Sequence, residues 1–183
     1  MRKLPLILIL LTLFSFRSEA QIKLTIDQKL HAFQLDREDI EVYIDKTEHT
    51  LTLKVGAQEL KQYKCVFGGN PVDDKKYEGD KCTPEGVFHI QAKYSHPQWS
   101  KFILIDYPNK QSWKKFEANK AHGKLPYGAT IGGAVGIHGV PANKDYLIEK
   151  GINWTLGCIS LATKDIEEIY LYINVGTKVT IAK

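Results

Sequence analysis

From Ile40 the chain alternates apolar and polar positions with a period of two. The run "IEVYIDKTEHTLTLKVGAQELKQYKCVFGG" puts Val42 and Ile44, then Leu51, Leu53 and Val55, then Tyr63, Cys65 and Phe67 on one side. Side chains on a strand point alternately to opposite faces, so these runs predict three antiparallel strands, each with one face in a core. Turn residues separate them at Asp45 to Thr47 and at Gly56 to Gln58. A long polar loop, "GGNPVDDKKYEGDKCTPEG", follows, and "VFHIQAKY" and "KFILIDYP" again read as strands. Loops of that length in a compact domain are usually functional or mobile.

One later stretch has a helical period. "TKDIEEIYLYI" sets Ile166, Ile169, Tyr170 and Ile173 on one face, with Thr163 as the expected cap and Asp165, Glu167 and Glu168 near the positive end of the dipole. Gly176 is expected to end it, and "TKVTI" to form a last strand. A second short helix is expected around "QSWKKFEANK". Residues 21–38 have mixed periodicity and a charged cluster at Asp36 to Asp39, which predicts a lead-in packed on the surface of a domain spanning 39–183. Strands dominate, so the expected class is mainly β, a sandwich or barrel with one or two short helices.

The first twenty residues fit none of this. "MRKLPLILILLTLFSFRSEA" has a basic start at Arg2 and Lys3, an apolar stretch from Leu4 to Phe14 and small residues at Ser18 and Ala20. That order is the pattern of a secretory signal peptide over residues 1–20, cut before Gln21. The apolar stretch is interrupted by Ser15 and Arg17, short of the roughly 20 residues a spanning helix needs, so no stable membrane insertion is expected after cleavage. About 160 residues would then remain, enough for one domain with its own core. With 25 basic and 21 acidic residues, the net charge of +4 forms no dense cationic cluster, which argues against a nucleic-acid partner.

Three cysteines in an exported chain leave one without a partner. Cys65 and Cys82 either close a short loop as a disulfide or are two buried small side chains. Cys158, in "NWTLGCISL", is the third. A thiol with a pKa of about 8.5 needs a base or a positive field to act as a nucleophile. "GGAVGIHGV" offers His138 at the end of an apolar stretch, with Gly136 and Gly139 allowing close approach of backbone or substrate. Gly157, directly before Cys158, permits a tight turn that would aim backbone N–H groups at a developing oxyanion. On spacing alone, Cys158 and His138 are either an acyl-transfer pair or a buried cysteine and a structural histidine.

Taken together, "IHGV" and "TLGCISL" resemble the two-part signature of the L,D-transpeptidase catalytic domain (YkuD) family, a His-Gly pair followed by Ser/Thr-x-Gly-Cys. "IEVYIDKTEHTLTLKV" resembles that family's opening strands, "CVFGGNPVDDKKYEGDKCTPEGVFHI" its loop ending in Thr-Pro-x-Gly, and "DIEEIYLYINVGTKVTI" its closing helix and strand, over roughly residues 39 to 182. The resemblance implies Cys158 as nucleophile and His138 as general base. It implies that Thr155 orients the histidine through its backbone carbonyl and that Gly157, with Gly139 close by, helps form the oxyanion pocket. It also implies peptidoglycan stem peptides as partners, L,D (3→3) cross-linking in the periplasm, and a part in cell-wall organisation and cell shape; the alternatives are a hydrolase using the same site, as an L,D-carboxypeptidase or in release of a wall-linked protein, and a non-catalytic wall-binding module. Two positions depart from the family pattern: Leu156 stands where many members have His, and Ser160 where many have Arg.

Other residues carry less. Thr83, Pro84 and Gly86 read as turn chemistry before a strand. Trp154 and Tyr127 are candidates for a sugar- or peptide-binding groove. His31, His49, His89, His96 and His122 lack metal-ligand spacing, and no phosphate-cradling loop occurs, so neither metal nor cofactor is expected.

Overall fold

The computed structural model describes residues 24–183, and the expected signal peptide lies outside them. The chain runs α1 (Ile26–Ala32), β1 (Glu41–Asp45), β2 (Thr50–Val55), β3 (Gln58–Lys64), β4 (Gly86–His96), β5 (Ser100–Ile105), α2 (Lys110–Ala121), β6 (Gly136–Gly139), α3 (Tyr146–Glu149), β7 (Ile159–Leu161), α4 (Thr163–Tyr172) and β8 (Lys178–Ala182). The strands form one mixed sheet in the order β3-β2-β1-β8-β4-β5-β6-β7.

The period-2 residues of the first three strands are the ones the sheet buries: Val42, Ile44, Leu51, Leu53, Tyr63, Cys65 and Phe67. Strand β4 joins the two halves of the sheet. Its first residues, Gly86 to His89, pair with β8 and those from Ile90 on with β5, the β5 pairing having an irregularity between Ile90 and Ala92. A bulge bends and twists a strand, which lets a sheet curl. Beyond β3 the chain crosses to the opposite edge, where Val66 and Ser160 exchange backbone hydrogen bonds of 2.9 and 2.8 Å. That bridge ties β3 to β7 and gives the barrel-like closure expected from the pattern.

The helices differ from expectation in number and in one cap. Residues 24–38 are more than a surface lead-in: Thr25 and Gln28 form a reciprocal capping box on α1, which buries Ile26 and Leu30 in the core. Helix α2 forms where expected, with Asn109 rather than an apolar residue at its cap. Helix α4 has the expected apolar face, yet Thr163 is its first helical residue and Ala162 its cap. The missing cap is supplied through space, because Asp145 Oδ1 accepts the Thr163 N–H at 2.7 Å. The short α3 adds a further helix that no periodic pattern announced.

The long loop between β3 and β4 is held by buried charge. Lys46 is almost fully buried, and its ammonium donates to the carbonyls of Asp73 and Thr83 at 2.8 and 3.3 Å and to the Glu85 carboxylate at 2.7 Å. Lys115 adds a 2.7 Å ion pair to Asp74. Cys65 and Cys82 are buried free thiols, so of the two readings the disulfide is the one the structure does not contain.

Helix α4 packs on β5 and β6. Its Ile166, fully buried, is the side chain that meets Gly139. We expect Ile166→Ala to lower the unfolding free energy by about 2–5 kcal/mol, the range for truncating a buried isoleucine. Urea denaturation followed by tryptophan fluorescence reads this directly.

Candidate active site

Strands β6 and β7 run parallel with Ile137 opposite Ile159, His138 opposite Ser160 and Gly139 opposite Leu161. Cys158 stands two residues before Ser160, so the period of two brings it to the side of the sheet on which His138 lies. The turn that delivers it is tied from within: Thr155 Oγ1 donates to the Cys158 carbonyl at 2.7 Å and accepts the Gly157 N–H at 3.1 Å. The same threonine is fixed to the β3 extension, its N–H donating to the Phe67 carbonyl and its carbonyl accepting from Gly69 N–H. Gly157 has φ +139°, and a Cβ there would lie 2.7 Å from the Cys82 carbonyl oxygen. Only glycine fits on both counts.

His138 is 2% exposed. Its Nδ1 lies 2.7 Å from the Gly139 carbonyl oxygen, which assigns the proton to Nδ1 and leaves Nε2 with its lone pair. Aromatic rings enclose the imidazole: Trp99 stacks at 4.4 Å, Phe102 lies nearly parallel at 5.7 Å, and Trp154 meets it edge-on at 5.6 Å. His96 stacks on the far face of this group, against Trp99 at 4.3 Å. Burial lowers the His138 pKa from 6.5 to about 4, against the pull of the Gly139 carbonyl, with the nearby His96 adding to the depression.

The Cys158 thiol, half-buried, donates to the Ala134 carbonyl at 3.7 Å. Burial raises its pKa, while the Gly136 backbone and the Lys75 ammonium pull it down. Both shifts act toward the uncharged forms, the thiol and the neutral imidazole. Both side chains line a cavity of about 610 Å³ that is also walled by Trp99, Trp154, Leu156 and Lys75.

Several expected roles change with this geometry. The carbonyl within hydrogen-bond distance of His138 Nδ1 is that of Gly139; the Thr155 carbonyl accepts from Gly69 N–H, and the Thr155 hydroxyl ties the turn. The Gly157 N–H is occupied by Thr155 Oγ1, so it is not free to receive an oxyanion in this state. Gly139 sits where a Cβ would be 2.6 Å from the Trp99 carbonyl oxygen, and its N–H donates to that oxygen. Of the two aromatic candidates, Trp154 lines the cavity, whereas Tyr127 is fully exposed and does not. Thr83 is buried, its hydroxyl accepting from Gly68 N–H. Ser160 is fully buried and Leu156 is 76% exposed at the cavity rim. Trp99, Phe102 and Lys75 were not legible as site residues, because nothing in their local sequence marks them.

Among the described residues no cluster of three or more His, Cys, Asp or Glu side chains could hold a metal, and no helix is long and apolar enough to cross a membrane. The closed mixed sheet brings a cysteine and a buried histidine to one cavity. The family model of the L,D-transpeptidase catalytic domain matches residues 39–181, and the chain belongs to this family.

Solved structures agree on the fold. The helical cell shape determining protein Pgp2 from Campylobacter jejuni matches with a TM-score of 0.58 and 25% identity over 79% of this chain and 47% of that one. An L,D-transpeptidase from Mycobacterium smegmatis matches with a TM-score of 0.52 and 16% identity over 79% of this chain and 59% of that one. An L,D-transpeptidase from Mycobacterium tuberculosis H37Rv gives 0.52 and 14% over 79% and 58%. The chain thus spans about half the length of the solved relatives it matches. No curated protein matches it in sequence.

Two outcomes follow from the site. Gly157→Ala should cut Cys158 alkylation or turnover at least tenfold while leaving a folded protein, because the turn must move off the Cys82 carbonyl. His138, with its folded pKa below the unfolded value, takes up its proton only as pH falls toward 4, so the unfolded chain binds more protons between pH 6.5 and about 4. Stability is therefore full above pH 6.5 and declines by about 3 kcal/mol across that window. Urea denaturation at a series of pH values should show this slope, and His138→Phe should flatten it.

Proposed function

We propose that the chain is an exported cysteine acyltransferase acting on peptidoglycan stem peptides, with residues 1–20 a signal peptide, 21–38 a lead-in and 39–183 the catalytic domain, working in the periplasm on cell-wall organisation and cell shape. The observation that carries the chemistry is the shared cavity of Cys158 and His138, with the imidazole held in the tautomer that leaves Nε2 as the acceptor. Family membership supports the substrate class.

The reaction begins with the neutral pair. As Cys158 Sγ attacks the carbonyl of the third stem residue, its proton passes to His138 Nε2, so no separated charge has to persist in the apolar wall before substrate arrives. The carbonyl oxygen becomes an oxyanion, for which the backbone N–H of Cys158 is the candidate donor at the turn. The imidazolium, strongly acidic in its ring of aromatic neighbours, gives the proton to the departing amine of the terminal D-residue. A thioester remains on Cys158. An amine of a neighbouring stem then attacks it, loses its proton to His138 and leaves an L,D (3→3) cross-link with the thiol restored.

The test is mass spectrometry of tetrapeptide muropeptides incubated with the mature protein and with Cys158→Ala. The expected product is a Cys158-dependent dimer lighter by one D-residue. Shortening without a dimer would reassign the same site to hydrolysis, with water as acceptor. No change in any muropeptide would overturn the enzymatic reading in favour of a wall-binding module.

A further inference from the structure

The cavity contains a buried cation that the mechanism above leaves unused. The Lys75 side chain is 5% exposed and its partner Asp80 7%, with the ammonium donating to Asp80 Oδ1 at 2.9 Å and to the Tyr77 carbonyl at 3.1 Å. An ammonium has three N–H donors, so one remains. Asp80 is committed elsewhere as well: it accepts the backbone N–H groups of Cys82, Lys76 and Tyr77 at 2.9, 2.6 and 3.0 Å. Burial pushes the Asp80 carboxyl up, but the Lys75 hydrogen bond together with these backbone bonds outweighs it and holds the carboxyl below its usual range. Asp80 pairs with Lys75 through one of these bonds, and the ammonium keeps one N–H for a further acceptor.

The position of the ammonium relative to the nucleophile is set by a glycine. Lys75 Nζ lies 3.8 Å from the point where Gly157 would carry a Cβ, and Gly157 directly precedes Cys158. Lysine 75 also lines the Cys158 cavity. Two other charged residues do so, Glu78 and Lys81, and both are exposed. A surface ammonium is largely cancelled by water, whereas one in a low-dielectric wall acts strongly on whatever anion enters. The position where family members commonly present arginine is of no help here, since Ser160 is fully buried.

We propose that Lys75 is the specificity-determining cation of this site, receiving the carboxylate that ends the donor peptide beside Cys158. The assignment rests on the acyl-transfer reading for its natural substrate, but the charge itself can be read without any substrate. Iodoacetate and iodoacetamide alkylate the same thiolate with loss of iodide and differ only in carrying a carboxylate or an amide. A cation that merely raises the thiolate fraction accelerates both reagents equally, so their rate ratio isolates attraction for a carboxylate next to Sγ.

For the full mature chain, the iodoacetate-to-iodoacetamide ratio at Cys158, followed by peptide mass spectrometry, should exceed that of glutathione by about tenfold, the effect of one favourable charge contact. Lys75→Gln should bring it down to the glutathione value, Lys75→Arg should keep most of it, and Lys76→Gln, which removes the same charge from an exposed neighbour, should leave it within twofold. A wild-type ratio no higher than that of glutathione overturns the proposal without any variant, so it is decided even if Lys75→Gln does not fold. So does an unchanged ratio in folded Lys75→Gln. A second arm compares stem tetrapeptides ending in a free carboxylate or an amide: the wild type should favour the acid, and Lys75→Gln should lose that preference. If neither peptide is processed, the acyl-transfer reading fails while the alkylation ratio still decides Lys75. If the acid is processed but the reagents are not discriminated, Lys75 is excluded and the acyl-transfer reading stands.

Discussion

The parallel register of β6 on β7 is the constraint on which the site depends. Four residues and three residues, all buried, set His138 against Ser160, and the turn at Thr155 to Cys158 then has one place to put the thiol. Strands this short do not hold a register by backbone bonds alone. Helix α4 packs on β5 and β6, and Val66 locks the outer edge of β7. A slip of one residue would turn every side chain of β7 to the other face, moving Ile159 and Leu161 out of the core. The apolar cost of that slip is what protects the position of a polar pair.

Within that frame, the environment of His138 suits a base better than a permanent cation. Trp99, Phe102 and Trp154 exclude water from the ring, and the single hydrogen bond to the Gly139 carbonyl fixes the tautomer. Low pKa in the resting site means a weak base at rest and a strong acid once protonated, the property wanted when a poor amine leaving group must depart. The same burial raises the Cys158 thiol, so neither partner ionises alone. Under the proposed mechanism, charge forms as the proton and the sulfur move together, and a preplaced cation such as Lys75 then has most to contribute.

What the linear chain disclosed follows physical range. Period-2 alternation reported the inward faces of β1, β2 and β3 because each strand buries its own side chains whatever its partner. The helical face of Ile166, Ile169 and Ile173 was legible for the same reason. Thr163 was misread as a cap because the acceptor that serves α4, Asp145, is eighteen residues upstream and meets it only in the fold. Cys158 and His138 stood out because their motifs are short and local. Lys75 did not, since it reaches the site through a loop whose course is set by distant contacts, Lys46 with Asp73, Thr83 and Glu85, and Lys115 with Asp74; Trp99 did not, since it sits in the β4–β5 turn and stacks on His138 only in the fold.

That difference bears on how the departures at Leu156 and Ser160 are to be understood. Under the proposed acyl-transfer reading, the absence of an arginine at the Ser160 position leaves the need to meet a carboxylate in place, because an anion left unpaired in a low-dielectric cavity is costly. The loop between β3 and β4 passes directly behind Gly157, and a lysine on it reaches the same space from the opposite wall. Ser160 is fully buried beside the β3 extension, where Val66 bridges to it. The sheet edge at Ser160 is closed by the Val66 bridge, and the buried Lys75–Asp80 pair stands on the loop behind Gly157, so the buried charge that borders the cavity comes from the loop and not from β7.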